Sequence, residues 1–514
     1  MNYKKLYLIL NTVKYLKLSQ VYWRVYYKIR DKYRKSTKFK YEVIKYSNSY
    51  NLNLIDNVAY QCNYNNGIFT FLNKNKSFNN RINWNFLEYG KLWCYNLNYF
   101  ESLDNISKED GLKFINQYIK DINNIKVGLE PFPISLRGLN WIKFLTKYEI
   151  KDKKIDDSLY AQYYILIDKL EYHLLGNHLL ENGFSLLFGA YYFQNEAFYK
   201  KAKKILTKEL DEQILDDGAH FELSPMYHQL MLFRVLDCIN LVQNNNWKNK
   251  DLLMFLEGKA SLMLGWLENI SYQNGEIPLF NDSTNKIAPS SKKLFEYASQ
   301  LNIEITYKNL NQSGYRKITK ENYECMLDIG EIGASYIPGH AHADTFNFEL
   351  YIKEKPFIVD TGLSTYNIGK QRNIERSTKA HNTVEINNEN SSEVWGGFRV
   401  ANRANIIELI EKENLIKATH DGYKKKFNIL HTREWKFEED KIIINDTLNK
   451  KCQAIARLHF YPDIIESEIL NKINLEKLEY KIQNYDYASE FNKTIKALVL
   501  EIRFKKELKL EINI

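Results

Sequence analysis

The chain has 514 residues, 44% of them hydrophobic and 26% charged, with only 8 Pro and 21 Gly. That is length enough for two or more domains with buried cores, and too little Pro and Gly for long disordered linkers. The net charge of +9 suits an anionic substrate or an acidic surface, yet no zinc-finger, RNP or helix-turn-helix signature supports nucleic acid, and five dispersed cysteines without CxxC spacing exclude a disulfide framework or a thiolate metal site.

Residues 3–34 open the chain as a basic, aromatic segment of helical spacing, suited to packing on the body of the protein or to lying on an acidic membrane face. The apolar run Leu6 to Leu10 is broken by Asn11, Lys14 and Lys17, too short for a secretory h-region, and no window reaches the length of a membrane span. The expected location is therefore cytoplasmic or membrane-peripheral.

Up to about residue 310 apolar residues recur at three- and four-residue steps, as over 159–175, 183–193, 227–242 and 252–270. Such a succession of helical hairpins predicts a solenoid or an α/α toroid. Within it, Asn177-His178-Leu179-Leu180-Glu181-Asn182 places His178 and Glu181 on one helix face, although Asn177 reads equally well as an N-cap with a solvated polar turn behind it. The stretch His220 to His228 gathers titratable groups beside a helix start marked by Pro225, with Tyr227 as either a reactive phenol or a core filler.

A polar stretch over 309–320 marks the boundary between an α-helical domain, 1–312, and a β domain, 313–514. Beyond it the pattern turns to strands, at 347–352, 406–410, 435–444, 454–460 and 495–514, which predicts an antiparallel β-sandwich. Gly339-His340-Ala341-His342-Ala343-Asp344 falls among these residues. In a strand, His340, His342 and Asp344 would share a face, and with Asp360 and His381 they suit a metal site or an acid/base site.

The stretch from His340 to Arg403, with GHAHADTFNFEL, FIVDTG, RSTKAHNTVEIN and EVWGGFR in order, resembles the β domain of the heparinase II/III-like family. The helical half agrees through Leu92-Trp93, Tyr95 to Phe100, Pro133 to Arg137 and the segments NHLLEN and SPMYH. The proteins of this kind that it is most similar in character to are those encoded with bacterial surface polysaccharides.

The resemblance implies an incomplete (α/α) toroid followed by a β-sandwich, and a lyase that cuts a uronic-acid glycoside by β-elimination. Tyr227 matches the family's catalytic tyrosine. His340 and His178 match its two cleft histidines, each a base or a carboxylate clamp, and Asn177 the residue that neutralises the uronate. Glu181, Arg137 and His228 are expected to contact sugar, with positioning of His178 as the other role for Glu181 and a structural ion pair as the rival role for Arg137. His342, Asp360 and His381 match positions that hold zinc in several members, where it would tie three segments together. The partner implied is an anionic polysaccharide, the cell's own surface polymer among the candidates. By analogy with secreted members a periplasmic or extracellular location is the alternative. The rival functions are a glycoside hydrolase on the same architecture, for which Glu181 and Glu222 are the only carboxylates in view, and a non-catalytic polysaccharide-binding protein.

Overall fold

The structure, a computed structural model, describes residues 3–41, 49–55, 63–79 and 81–514. Two helices open the chain, α1 (Tyr3–Val13) and α2 (Leu18–Ser36). A small antiparallel sheet follows, β1 (Tyr64–Asn65), β2 (Ile68–Phe71) and β3 (Lys74–Ser77), inside the half read from periodicity as wholly helical. Its strands are too short for a period-2 pattern to stand out.

The helical body comprises α3 (Lys91–Tyr99), α4 (Lys108–Asp121), α5 (Pro131–Lys147), α6 (Lys153–Asp168), α7 (Gly176–Phe193), α8 (Glu196–Gln213), α9 (Pro225–Asn244), α10 (Asp251–Ile270) and α11 (Ser291–Gln300). Their starts follow capping chemistry. Asp152 accepts from the backbone N–H groups of Lys154 and Ile155, Ser224 caps α9, and Pro131 and Pro225 occupy first-turn positions where a missing N–H costs nothing. The packing order is that of a toroid open at one side: α5 lies on α6 and α7, α7 on α8 and α9, α9 on α10. Helix α7 is largely apolar, and every residue in it except His178 is buried, Asn177, Glu181 and Asn182 included.

The change from helix to strand falls between Gln300 and Tyr315. The first sheet is the meander β4 (Tyr315–Thr319), β5 (Tyr323–Asp328), β6 (Phe348–Ile352), β7 (Lys355–Ile358). Helix α12 (Lys370–Glu375) precedes β8 (Val384–Ile386) and the short pair β9 (Val394–Trp395) and β10 (Arg399–Val400). Then come β11 (Ile406–Lys412), β12 (Leu415–His420), β13 (His431–Phe437), β14 (Lys441–Leu448), β15 (Ala454–His459), β16 (Glu479–Glu490), β17 (Lys493–Phe504) and β18 (Glu507–Asn513). They form a sheet of order β11-β12-β13-β14-β18 and another of order β16-β17-β15-β8, antiparallel throughout. The three large sheets share one apolar core that includes Phe348, Ile358, Trp435, Ile444, Leu458 and Leu500, which makes this half a β-sandwich.

Cys94, Cys238 and Cys325 are buried and Cys452 half-buried, all as free thiols; Cys62 lies outside the described residues. No helix among the described residues is long and apolar enough to cross a membrane.

Candidate active site

Segments from both halves meet at the start of α7. Leu175 (φ 63°) and Gly176 (φ +57°) turn the chain through the left-handed region, so that helix begins one residue before Asn177. Asn177 therefore sits inside the first turn and is not the N-cap. Its carboxamide bonds no described residue, and the side-chain oxygen is buried without a partner. One residue on, His178 points out of an otherwise buried helix. Its Nδ1 lies 3.2 Å from Glu171 Oε1, and its ring centroid 4.9 Å from that of Phe132.

The start of α9 supplies Tyr227. The Ser224 hydroxyl accepts from Tyr227 N at 3.2 Å and donates to the Asp282 carbonyl at 2.8 Å. Asp282 N in turn donates to the His340 carbonyl at 3.0 Å, and Asn281 Oδ1 accepts from His342 N at 2.9 Å. A chain of polar contacts thus sets the β-domain loop 339–344 against the first turn of α9. The result is a parallel stack of Tyr227 on His340, centroids 3.8 Å apart and planes at 16°.

His340 Nδ1 is hydrogen-bonded to Glu222 Oε2. The other Glu222 oxygen accepts from Asn177 N at 3.4 Å, so one buried carboxylate joins the sandwich loop to α7. With Nδ1 donating to a carboxylate, a neutral imidazole presents its Nε2 lone pair as a proton acceptor. Burial alone would raise the Glu222 carboxyl, but the adjacent His340 holds it below its ordinary value. At His178, burial opposes charge, yet Glu171, with Glu222 and Glu181 adding to it, more than offsets this and the ring titrates above its ordinary value. Burial pushes the Tyr227 phenol up, against the hydrogen bond it receives from the Tyr366 hydroxyl at 3.2 Å. Tyr227 is therefore a protonated phenol at neutral pH.

Several expectations need correction. The segment 339–344 is not a strand but an irregular loop before β6. Its backbone bonds go to Asn281, Asp282 and Arg376 and not to a ladder, so alternation fails: His340 faces the crevice while His342 and Asp344 are buried. Arg137 is fully buried, with its guanidinium given to the carbonyls of Asn98 (3.1 Å) and Gly128 (2.9 Å) and to Gln162 Oε1 (2.7 Å), so it braces the toroid and meets no sugar. His228 is also fully buried. It bonds the Met263 carbonyl through Nε2 at 2.9 Å and accepts from His220 N at 3.2 Å through Nδ1. Glu181 is buried with one oxygen on Arg234 Nε at 3.3 Å, and acts on His178 as a charge behind it instead of as a sugar contact.

The three residues matched to zinc are all buried, and each is bonded in part within the protein. His342 Nε2 bonds Asp282 Oδ1 at 2.7 Å. Asp360 accepts from His381 Nδ1 (2.8 Å), Asn347 Nδ2 (2.6 Å) and Gly362 N (2.9 Å). His342 Nδ1 and His381 Nε2 are left buried and unpartnered. Among the described residues no group of three or more His, Cys, Asp or Glu is placed to hold a metal ion. The residue types fit zinc, and His342 Nδ1 and His381 Nε2 are the atoms left to bind it, but Asp360 is bonded to His381 Nδ1 instead of joining them.

Two features were missed from sequence. Tyr366 is one tyrosine among 38, and only its position six residues after Asp360 in FIVDTG hinted at it. Arg372, on α12, forms a bidentate pair with Asp282 (Nη2 to Oδ2, 2.6 Å) and lies against the Tyr366 ring, its Cζ 5.0 Å from the centroid. That pair locks the Tyr366 side of the site to the Tyr227 side.

Residues 144–303 match the family model described as heparinase II/III N-terminus, and residues 305–494 the one described as heparinase II/III-like, C-terminal. Among curated proteins the chain is similar to a heparin-sulfate lyase of Bacteroides stercoris, 21% identical over 381 residues, or 67% of this chain and 55% of that one. It is also similar to a heparin-sulfate lyase of Pedobacter heparinus, 26% identical over 245 residues, or 42% of this chain and 36% of that one. The chain thus spans about half the length of the first relative and about a third of the second. Among solved structures a heparinase III superposes with a TM-score of 0.66 at 14% identity, covering 93% of this chain and 88% of its own. A heparan sulfate lyase from Pedobacter heparinus gives 0.56 at 17%, covering 86% and 79%. At these identities the superpositions speak to the fold: helical toroid, then β-sandwich.

Proposed function

Because the chain belongs to the heparinase II/III-like family, we propose that it is a polysaccharide lyase, cutting an acidic, uronic-acid-containing polysaccharide by β-elimination. The observation that carries this is the Tyr227–His340 stack, built from two domains, with His340 Nδ1 committed to Glu222. The chemical problem is the proton at C5, which is weakly acidic beside a carboxylate. Masking that carboxylate lets the developing charge spread onto it. Asn177 and His178 suit this task. Both lie in the first turn of α7, where the helix dipole favours an anion, and Glu171 keeps His178 inclined to carry a positive charge. His340, through Nε2, takes the C5 proton. Tyr227, kept protonated by burial, gives its proton to the departing O4, and Tyr366 steadies its hydroxyl. Acid and base are stacked, so proton removal and departure occur on one side of the sugar ring.

The hydrolase reading is not favoured. Glu222 is taken up by His340 and Asn177 and Glu181 by Arg234, both buried, so neither is presented to a glycosidic oxygen. Zinc remains a proposal of ours from the residue types of His342, Asp360 and His381 alone, and no step is routed through it. Elemental analysis of the purified chain tests it: stoichiometric zinc lost in His342→Ala and His381→Ala supports it, and zinc-free protein rejects it.

The function is tested on a panel of acidic polysaccharides. A lyase leaves a C4–C5 double bond conjugated with the carboxylate, so ultraviolet absorbance rises with each cut. Tyr227→Phe should lower kcat at least about 100-fold, as expected for loss of general acid catalysis, with an unchanged melting temperature. New reducing ends without absorbance would instead establish a hydrolase.

A further inference from the structure

Helices α1 and α2 are held to the body by a thin polar seam. Gln20 Nε2 donates to the Leu174 carbonyl at 3.0 Å, Arg30 Nη1 to the Asp168 carbonyl at 2.7 Å, and Trp23 stacks on Tyr172 with centroids 4.9 Å apart. Trp395 Nε1 donates to Thr12 Oγ1 at 3.1 Å from the β domain. Beyond this seam α1 buries no residue at all, and α2 only Gln20.

What these two helices turn outward is not all polar. Leu18, Tyr22, Val25, Ile29 and Tyr33 follow one another at steps of three and four, and so form one stripe along α2, opposite the face that carries Gln20, Trp23, Tyr27, Arg30 and Arg34. Their exposures run from 53% to 88%. Tyr3, Leu6, Leu10 and Val13 are likewise exposed on α1. Lys28, Lys32 and Lys35, all exposed, border one side of the stripe.

Charge is concentrated in the same place. Residues 3–41 contain twelve Lys and Arg against the single Asp31, a net +11. The whole chain has 72 basic against 63 acidic residues, so the remainder has 60 against 62, a net of −2. The positive excess of this protein is thus entirely a property of residues 3–41.

We propose that α1 and α2 form a docking surface for an anionic phospholipid membrane, lying in the plane of the headgroups. Aliphatic and tyrosine side chains enter the boundary between headgroups and acyl chains, while flanking lysines reach up to the phosphates. Neither helix spans a bilayer: α1 has 11 residues, and α2, with 19, is interrupted by charge. An acidic polysaccharide would answer the charge, but it has no use for a convex ridge of Leu, Val and Ile. A lipid surface answers both. The membrane reading does not rest on the lyase reading; only the turnover control in its test uses it.

The test is co-sedimentation of the full chain with phosphatidylcholine vesicles, with and without phosphatidylglycerol. Binding should require phosphatidylglycerol and weaken as salt is raised. The variant Leu18→Ser/Val25→Ser/Ile29→Ser, altered only at exposed positions, should bind at least about tenfold more weakly, and Lys28→Glu/Lys32→Glu/Lys35→Glu likewise, both with unchanged melting temperature and turnover on a dissolved polysaccharide. No sedimentation with anionic vesicles, or undiminished binding by the serine variant, overturns the proposal. So does a wild-type dimer, seen by light scattering, that the serine substitutions dissociate.

Discussion

Two buried carboxylates each take the Nδ1 of a histidine here, and the difference between them assigns the histidines. Glu222 bridges His340 and the α7 backbone, which orients the ring under Tyr227. Glu171 has His178, which raises that ring's pKa. A histidine held toward its cationic form suits a uronate clamp better than a base. In Glu171→Gln the negative charge is gone, so the His178 pKa falls and the cationic form is lost at a lower pH. The pH at which KM begins to rise should accordingly move downward, with kcat little changed. If the acid limb of kcat moves down instead, His178 is the base. Both histidines were legible in the sequence because their motifs name them. Their division of labour was not, since Glu171 lies seven residues before His178 and outside any motif.

At the scale of the element, the candidate residues of the helical half, Asn177, His178 and Tyr227, sit in first turns whose approach is strained. Leu175 precedes α7 and Gly176 opens it, and Leu223 (φ 55°) precedes the Ser224 cap of α9. Such conformations cost about 1–3 kcal/mol in non-glycine residues and persist only where the surroundings enforce them. The Leu223 carbonyl is held by Asn281 Nδ2 at 2.9 Å and by the Tyr315 hydroxyl. At Gly176 the space matters as much as the φ. A Cβ there would stand 3.0 Å from Ile337 Cδ1 and 3.1 Å from Glu222 Oε1. Gly176→Ala should therefore displace the carboxylate that orients His340 and lower kcat by roughly tenfold or more, about 1.4 kcal/mol of barrier. Wild-type kcat in that variant would remove Glu222 from its positioning role. Periodicity located the body of α7 but not its start, because the start is set by a left-handed turn with no side-chain cap.

For the whole molecule, the helical half contains buried histidines that must stay neutral. Burial lowers His220 to about 4 and His228 to about 3. In the unfolded chain both titrate near 6.5. Below about pH 6.5 the unfolded state therefore binds protons that the folded state refuses, and stability falls toward pH 4 by about 1.4 kcal/mol per pH unit for each histidine. The melting temperature should be clearly lower at pH 5 than at pH 7; equal values would show that these rings are not buried neutral. What the sequence determined by itself was the order of architectures, helical then sheet, since periodicity is written in local spacing; the family resemblance of its motifs singled out Tyr227, His340, His178 and Asn177 as candidates. Arg137 and His228 looked no different from site residues until packing buried them. That Tyr366 meets Tyr227 across 139 residues, and His340 meets Glu222 across 118, was decided only by the docking of the two halves. Contacts between segments so far apart depend on how domains close on one another, and no spacing along one segment encodes that.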